Sequence, residues 1–206
     1  MPNNVVVDLS HHNSAADFQK ARKDGVYGVI HKATQGTGFI DSQYALRVGP
    51  AKAAGLLWGA YHFGTADDVV LQVQHFLTVA KPDAQTLVAL DLETNELDPS
   101  NTMSLAQARA FLHAIEAQLG RKAVVYGGSY IKEQLGKAQD PYFGSHRLWW
   151  AQYSSAPVIQ ASWKDYWLWQ HTDGFHGVLP NQVSGIGPCD CDTYQQDPTT
   201  LAGNWA

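Results

Sequence analysis

Only two of the 206 residues are cysteine, and they stand one residue apart at Cys189 and Cys191. That is too few for a disulfide framework or a four-ligand zinc site, and a bridge across so short a loop would be strained. Both read as thiols, which favours synthesis in a reducing compartment. Basic runs are missing too: 14 Lys and Arg face 19 Asp and Glu, for a net charge of −5. The footprint of a nucleic-acid partner is therefore absent. No apolar stretch reaches membrane-spanning length, so no membrane insertion is expected. Met1-Pro2-Asn3-Asn4 lacks the basic-then-apolar pattern of a leader peptide. The expectation is a soluble protein made in the cytoplasm that, if exported, leaves by some route other than a simple cleaved leader. No GxGxxG or GxxxxGK loop follows the first strand, which weakens a nucleotide-site reading. HxH and HExxH spacings are absent among the nine histidines, so neither a metal nor a cofactor is expected.

What the chain does have is a 45% hydrophobic content, enough for one well-buried core. A single domain over residues 1–206, acting as a monomer, is the default. Apolar runs and helical patterns alternate. Val5-Val6-Val7 closes on Asp8, and a helix beginning near Ser14 to Asp17 runs to about Lys23. Val26 to Ile30 closes on His31-Lys32, and a helix follows from about Asp41 to Ala54. Leu56 to Ala60 closes on Tyr61-His62-Phe63, and Val69, Val70, Val73, Phe76 and Leu77 mark one buried helical face. Leu87 to Leu90 closes on Asp91-Leu92-Glu93; Ser104 to Gln107 then forms a capping box for a helix that ends at Gly120. Beyond it, Ala123 to Tyr126, Leu148 to Tyr153 and Tyr166 to His171 read as strands with little helix between them, and a last strand candidate lies near Cys189 to Asp192. This pattern predicts an α/β fold, an irregular (β/α) barrel of the TIM type with parallel strands and a truncated second half.

Polar residues collect where the apolar runs end, the rim on which such barrels build their sites. Asp8, Asp91, Glu93 and Asp190 would converge there from distant parts of the chain. Asp91 and Glu93, two apart on a buried strand, should face the same side, and burial with like charge raises at least one pKa. That prepares a general acid; the competing reading is a strand that ends in solvated acids. Convergent acids with flanking aromatics point to glycoside hydrolysis. Tyr61, Phe63, Tyr126, Trp149, Trp150, Tyr153, Trp167 and Trp169 offer faces on which sugar rings stack, with core packing as the alternative for each. Trp149 and Trp150 cannot both face the groove, and Trp150 is taken as the one that binds substrate. Lys32 and Gln35 read as rim groups that hydrogen-bond substrate or fix a carboxylate, and Gln152 and Gln170 as substrate-binding groups of the same rim.

Six ordered motifs, Val6-Val7-Asp8-Leu9-Ser10, Gly28 to Gly36, Gly59-Ala60-Tyr61-His62-Phe63, Ala89-Leu90-Asp91-Leu92-Glu93, Leu148 to Tyr153 and Trp167-Leu168-Trp169-Gln170, resemble those of glycoside hydrolase family 25, the Chalaropsis-type lysozymes. The resemblance implies a modified β/α barrel and cleavage of the β-1,4 bond from N-acetylmuramic acid to N-acetylglucosamine in peptidoglycan, whose glycan strands would be the partner. It implies Glu93 as general acid, Asp91 as its neighbour in the DxE, and Asp8 and Asp190 as further acids of the site. Members commonly read Lys-Ala-Thr-Glu-Gly where this chain has Lys32-Ala33-Thr34-Gln35-Gly36, so an amide replaces a rim carboxylate. Two residues on one strand lie on the same side of the scissile bond, whereas a protein nucleophile would sit across it. The expectation is that Asp91 orients the substrate's own N-acetyl group as nucleophile, with Asp8 or Asp190 as the rival nucleophile. A chitinase-like hydrolase and a non-catalytic wall-binding module are the competing functions.

Overall fold

A computed structural model describes Asn3 and residues 5–206; Met1, Pro2 and Asn4, which enter the leader reading, lie outside the described residues. Strand and helix alternate through the first half: β1 (Val6–Leu9), α1 (Phe18–Lys23), β2 (Gly28–Gln35) with its short partner β3 (Phe39–Ile40), α2 (Tyr44–Ala53), β4 (Leu57–Phe63), α3 (Val69–Ala80), β5 (Leu87–Asp91) and α4 (Leu105–Leu119). The second half holds β6 (Val124–Gly127), the short α5 (Ser129–Leu135), β7 (Leu148–Ala151), β8 (Leu168–Thr172), a hairpin of β9 (Gln182–Val183) and β10 (Gly187–Pro188), and β11 (Asp190–Tyr194).

Local chemistry accounts for several boundaries. The Ser104 side chain accepts from Gln107 N while the Gln107 side chain reaches back to the cap, and Gly120 ends α4 in the left-handed region at φ 68°. At α1 the cap is Asp17, which accepts from Lys20 N, so the helix starts later than a cap at Ser14 would place it. α5 has no counterpart in the sequence reading. Gly127-Gly128 looks like a loop signal, yet both glycines serve close packing: a Cβ on Gly128 would lie 2.5 Å from the Ala151 carbonyl oxygen.

The strands close into an α/β barrel in the order β1-β11-β8-β7-β6-β5-β4-β2, with β2 pairing back onto β1. Seven of them run parallel. β11 departs from the expected parallel arrangement, lying antiparallel to both β1 and β8. The connection that precedes it holds turns and the β9–β10 hairpin in place of a crossover helix, which a parallel return ordinarily uses.

Period-two alternation sorts the strands into two apolar layers. Val6, Ile30, Leu87, Ala89, Val124, Trp149 and Leu168 belong to a cluster inside the barrel, which Leu201 and Trp205 complete. Val7, Val29, Val88, Leu90, Val125, Trp150 and Trp169 belong to the cluster outside it, where Phe76, Phe111, Leu112 and Ile115 of the helices pack. Trp205 donates through Nε1 to the Trp58 carbonyl at 2.8 Å, and its ring occupies the space a side chain on Gly28 would need. Cys189 and Cys191 are buried thiols of the outer layer, their sulfurs 3.8 Å apart.

Candidate active site

The inward-facing positions that are apolar at one end of the barrel turn polar at the other. Following Val6, Ile30, Gly59, Ala89, Val124 and Leu168 by two residues gives Asp8, Lys32, Tyr61, Asp91, Tyr126 and Gln170, and Asp190 and Asp192 join them from β11. Six of the seven parallel strands thus deliver one polar group each to the same mouth, and β11 delivers two.

One side of this mouth belongs to Asp91 and Glu93. Asp91 ends β5, is 5% exposed, and its Oδ1 has no hydrogen-bond partner among the described residues. Glu93 stands just past the strand. Burial first, then the charge of Glu93, holds the Asp91 carboxyl well above the usual carboxylate range, with Lys32 opposing. Burial, then the charges of Asp190 and Glu96, pushes Glu93 up to about 7, with Lys32 opposing. Burial lowers the Lys32 pKa, and the charges of Asp91, Asp41 and Glu93 oppose that fall. The Lys32 ammonium donates to Gln35 Oε1 at 2.7 Å and lies 5.0 Å from the centre of the Phe63 ring. Gln35 is therefore the partner of Lys32 and adds no charge to it.

The other side is a hydrogen-bonded network around Asp8. Gln170 Nε2 donates to Asp8 Oδ2 at 2.7 Å, and Gln170 Oε1 accepts from the hydroxyls of Tyr126 and Tyr153 at 2.8 and 2.9 Å. Asp8 faces Asp190 across the β1–β11 ladder. Fully buried Asp192 accepts from Trp149 Nε1 at 2.5 Å. Burial, then the charges of Asp190 and Asp192, holds Asp8 well above its ordinary range, against the hydrogen bond from Gln170. Asp190 rises to about 7 through burial and then the charge of Asp173. Burial also raises Tyr61, followed by the charge of Asp91.

Two concavities open onto this mouth. The larger, about 890 Å³, is lined by His11, His12, Lys32, Gln35, Phe39, Phe63, Asp67, Glu96 and Leu97, and the smaller, about 320 Å³, by Lys132, Gln152 and Tyr153. They meet at Glu93 and Ser129, which line both. Among the described residues, no group of three or more His, Cys, Asp and Glu is gathered as a metal site.

The sequence-named residues divide accordingly. Asp8, Asp91, Glu93, Asp190, Lys32, Tyr61, Tyr126, Tyr153 and Gln170 share the mouth, with Gln35 and Phe63 on the wall of the larger concavity. Trp150 is a correction: it is fully buried in the outer layer and presents no face to the groove, because alternation turns Trp149 inward instead. Gln170 is a second correction. It is 2% exposed, and its amide is committed to Asp8, Tyr126 and Tyr153, so it fixes a carboxylate and is not open to substrate. Gln152 does line the smaller concavity, but its Oε1 already accepts from Lys132, Trp150 and Val158. Lys132 and Asp41 were missed. Lys132 lies on the unanticipated α5. Asp41 accepts from His11 Nδ1 at 2.9 Å and holds that ring on the groove wall; an Asp after an apolar pair, with loop histidines upstream, was the available signal.

The sequence profile of Glycosyl hydrolases family 25 matches residues 7–178. The chain belongs to that family. An autolytic lysozyme of Clostridium acetobutylicum is 29% identical over 194 residues, an alignment that takes in 92% of this chain and 55% of the relative. The family 25 chain thus spans little more than half of that protein's length. A muramidase structure from Trichobolus zukalii superposes with a TM-score of 0.81 at 25% identity, and a family GH25 lysozyme from Aspergillus fumigatus with 0.79 at 29%; each comparison covers 96% of both chains. The family match runs from within β1 through β8, so the strand-end polar residues of all six motifs fall within it, while Asp190 lies beyond.

Proposed function

We propose that this family 25 chain is a muramidase, hydrolysing the β-1,4 bond between N-acetylmuramic acid and N-acetylglucosamine in peptidoglycan. One observation carries the reading: Glu93, pushed up to about 7, sits where two concavities meet, so a glycan strand lying through both would place one glycosidic oxygen at a carboxyl that still holds its proton near neutrality. The names lysozyme and muramidase borne by the similar proteins agree with it.

In the proposed mechanism Glu93 protonates the leaving oxygen. Asp91 and Glu93 form one buried pair that shares charge, and titrations of such a pair belong to the pair. Lys32 steadies a single negative charge there. With the proton on Glu93, that charge rests on Asp91, where it orients the acetamido N–H so that the acetamido oxygen attacks the anomeric carbon. Two residues on one strand lie on the same side of the scissile bond, so Asp91 fits this orienting role better than that of a nucleophile across it. Water then opens the oxazolinium formed, giving its proton back to Glu93.

Digestion of purified peptidoglycan and chitin side by side, with mass analysis of released muropeptides, tests the bond and the sugar. Products ending in reducing muramic acid support the proposal; release from chitin alone overturns it. Glu93→Gln should lower turnover about 10²- to 10⁴-fold while co-sedimentation with walls persists. A variant that clears walls at the native rate removes Glu93 from its role. Trapping a covalent glycosyl-aspartate would refute the substrate-assisted route.

A further inference from the structure

The smaller concavity holds a cation without a counter-charge. Lys132, half-buried on α5, donates from Nζ to Gln152 Oε1 at 3.1 Å and stands 5.1 Å from the centre of the Trp150 ring. Among the described residues it has no carboxylate within 4 Å, unlike Lys20 and Lys52. An ammonium has three donors; one neutral oxygen takes one of them, and Lys132 lines the concavity. The support beneath is rigid. Gln152 Oε1 also accepts from Trp150 Nε1 at 3.2 Å and from Val158 N at 2.9 Å, while its Nε2 donates to Ser154 Oγ at 2.9 Å. Because that amide is consumed, it cannot itself read a substrate; it fixes the ammonium beside the pocket that Glu93 and Tyr153 line.

We infer that Lys132 is a specificity-determining residue, binding a carboxylate carried on the 3-O substituent of a sugar held next to Glu93. This rests on the muramidase reading above. Muramic acid differs from N-acetylglucosamine by a 3-O-lactyl ether, whose carboxyl is either free or extended as a peptide that bears carboxylates of its own. Either source places negative charge a short reach from the ring, and an unneutralised, partly desolvated ammonium is the complementary group. A neutral N-acetylglucosamine polymer offers that group nothing. The alternative role for Lys132 is to clamp Gln152 and the turn after β7, with no contact to substrate.

The test compares kcat/KM of the full chain and of Lys132→Gln and Lys132→Arg on three substrates: peptide-bearing glycan strands, strands stripped to the free lactyl carboxyl, and stripped strands with that carboxyl methyl-esterified. In the native chain the free-carboxyl strands should be preferred over the esterified ones by about tenfold, chiefly through KM. Lys132→Gln should bring that ratio close to one, and Lys132→Arg should restore most of it. If the ratio survives on stripped strands and falls only when peptide-bearing strands are the charged partner, the recognised carboxylate belongs to the peptide. A ratio that Lys132→Gln leaves unchanged for both charged substrates, or a loss equal on charged and esterified strands, overturns the inference while leaving the muramidase reading intact. Failure of the native chain to cut any of the three overturns both.

Discussion

Glu93 and Asp190 each keep a proton to about pH 7, against ordinary values of 4.5 and 3.8. A raised carboxyl is stabilised by the fold in its protonated form, so its contribution to stability is present below the ordinary value and lost as pH climbs through about 7. The same proton is the one the proposed chemistry spends, and activity should fall along the same limb. Glu93→Gln removes one of these titrations. Relative to the native chain, it should gain on the order of 2 kcal/mol between pH 4 and pH 8 in denaturant unfolding; parallel stability curves would show that Glu93 is not held protonated. Gln170 acts through its neighbours. Gln170→Leu leaves Asp8 and the hydroxyls of Tyr126 and Tyr153 without their shared partner, and should cost about 2 to 4 kcal/mol in the same measurement. A loss below about 0.5 kcal/mol would mean that water replaces the amide.

At the scale of elements, the turn from β6 into α5 is a tight junction beside the site. A Cβ on Gly127 would meet the Leu92 carbonyl oxygen at 2.6 Å, and one on Gly128 the Ala151 carbonyl at 2.5 Å. Both obstacles are backbone, and Leu92 lies between the two acids. Gly128→Ala should therefore destabilise the fold by about 2 kcal/mol or more, with a lower Tm as the readout, whereas the same change at exposed Gly38, which has nothing within 4 Å, should be close to neutral. This junction also shows where sequence reading stops. β1, β2, β4 and β5 were legible because apolar runs ended in polar residues, and α4 because its caps are spelled out in Ser104, Gln107 and Gly120. Asp8, Asp91 and Glu93 were legible for the same reason, while Asp190 opens β11 and reaches the mouth because that strand runs antiparallel. α5 was not, since seven residues behind two glycines carry too short a pattern, and Lys132 went unseen with it. The direction of β11 depends on pairing with β1, more than 180 residues away, which no local pattern encodes. Trp149 against Trp150 was narrowed to one by alternation, but which one required the register of β7.

For the whole molecule, the barrel is polar at one mouth and closed with indole at the other. Trp205 fills the space over Gly28, bonds to the Trp58 carbonyl, and lies 5.9 Å from Trp167, ring centre to ring centre. Trp205→Ala should cost about 3 to 5 kcal/mol, roughly 10 °C in Tm, although the residue lies at the opposite end of the barrel from the acids of the site. Kinetic constants measured well below the lowered Tm should stay near native; a loss of turnover at full folding would mean that the closed end transmits to the open one.

The antiparallel β11 has a consequence in time. It is the last strand of the ring in chain order, and it alone bridges β1 to β8. A ribosome that has released Asp8, Asp91 and Glu93 has still made no barrel, because the sheet lacks the strand that joins its edges, and Asp190 and Asp192 are still to come. Closure waits on contacts of very high sequence separation, the slow kind. A growing chain therefore carries Glu93 without an assembled cavity around it until β11 slides in between β1 and β8, which completes the ring in one step.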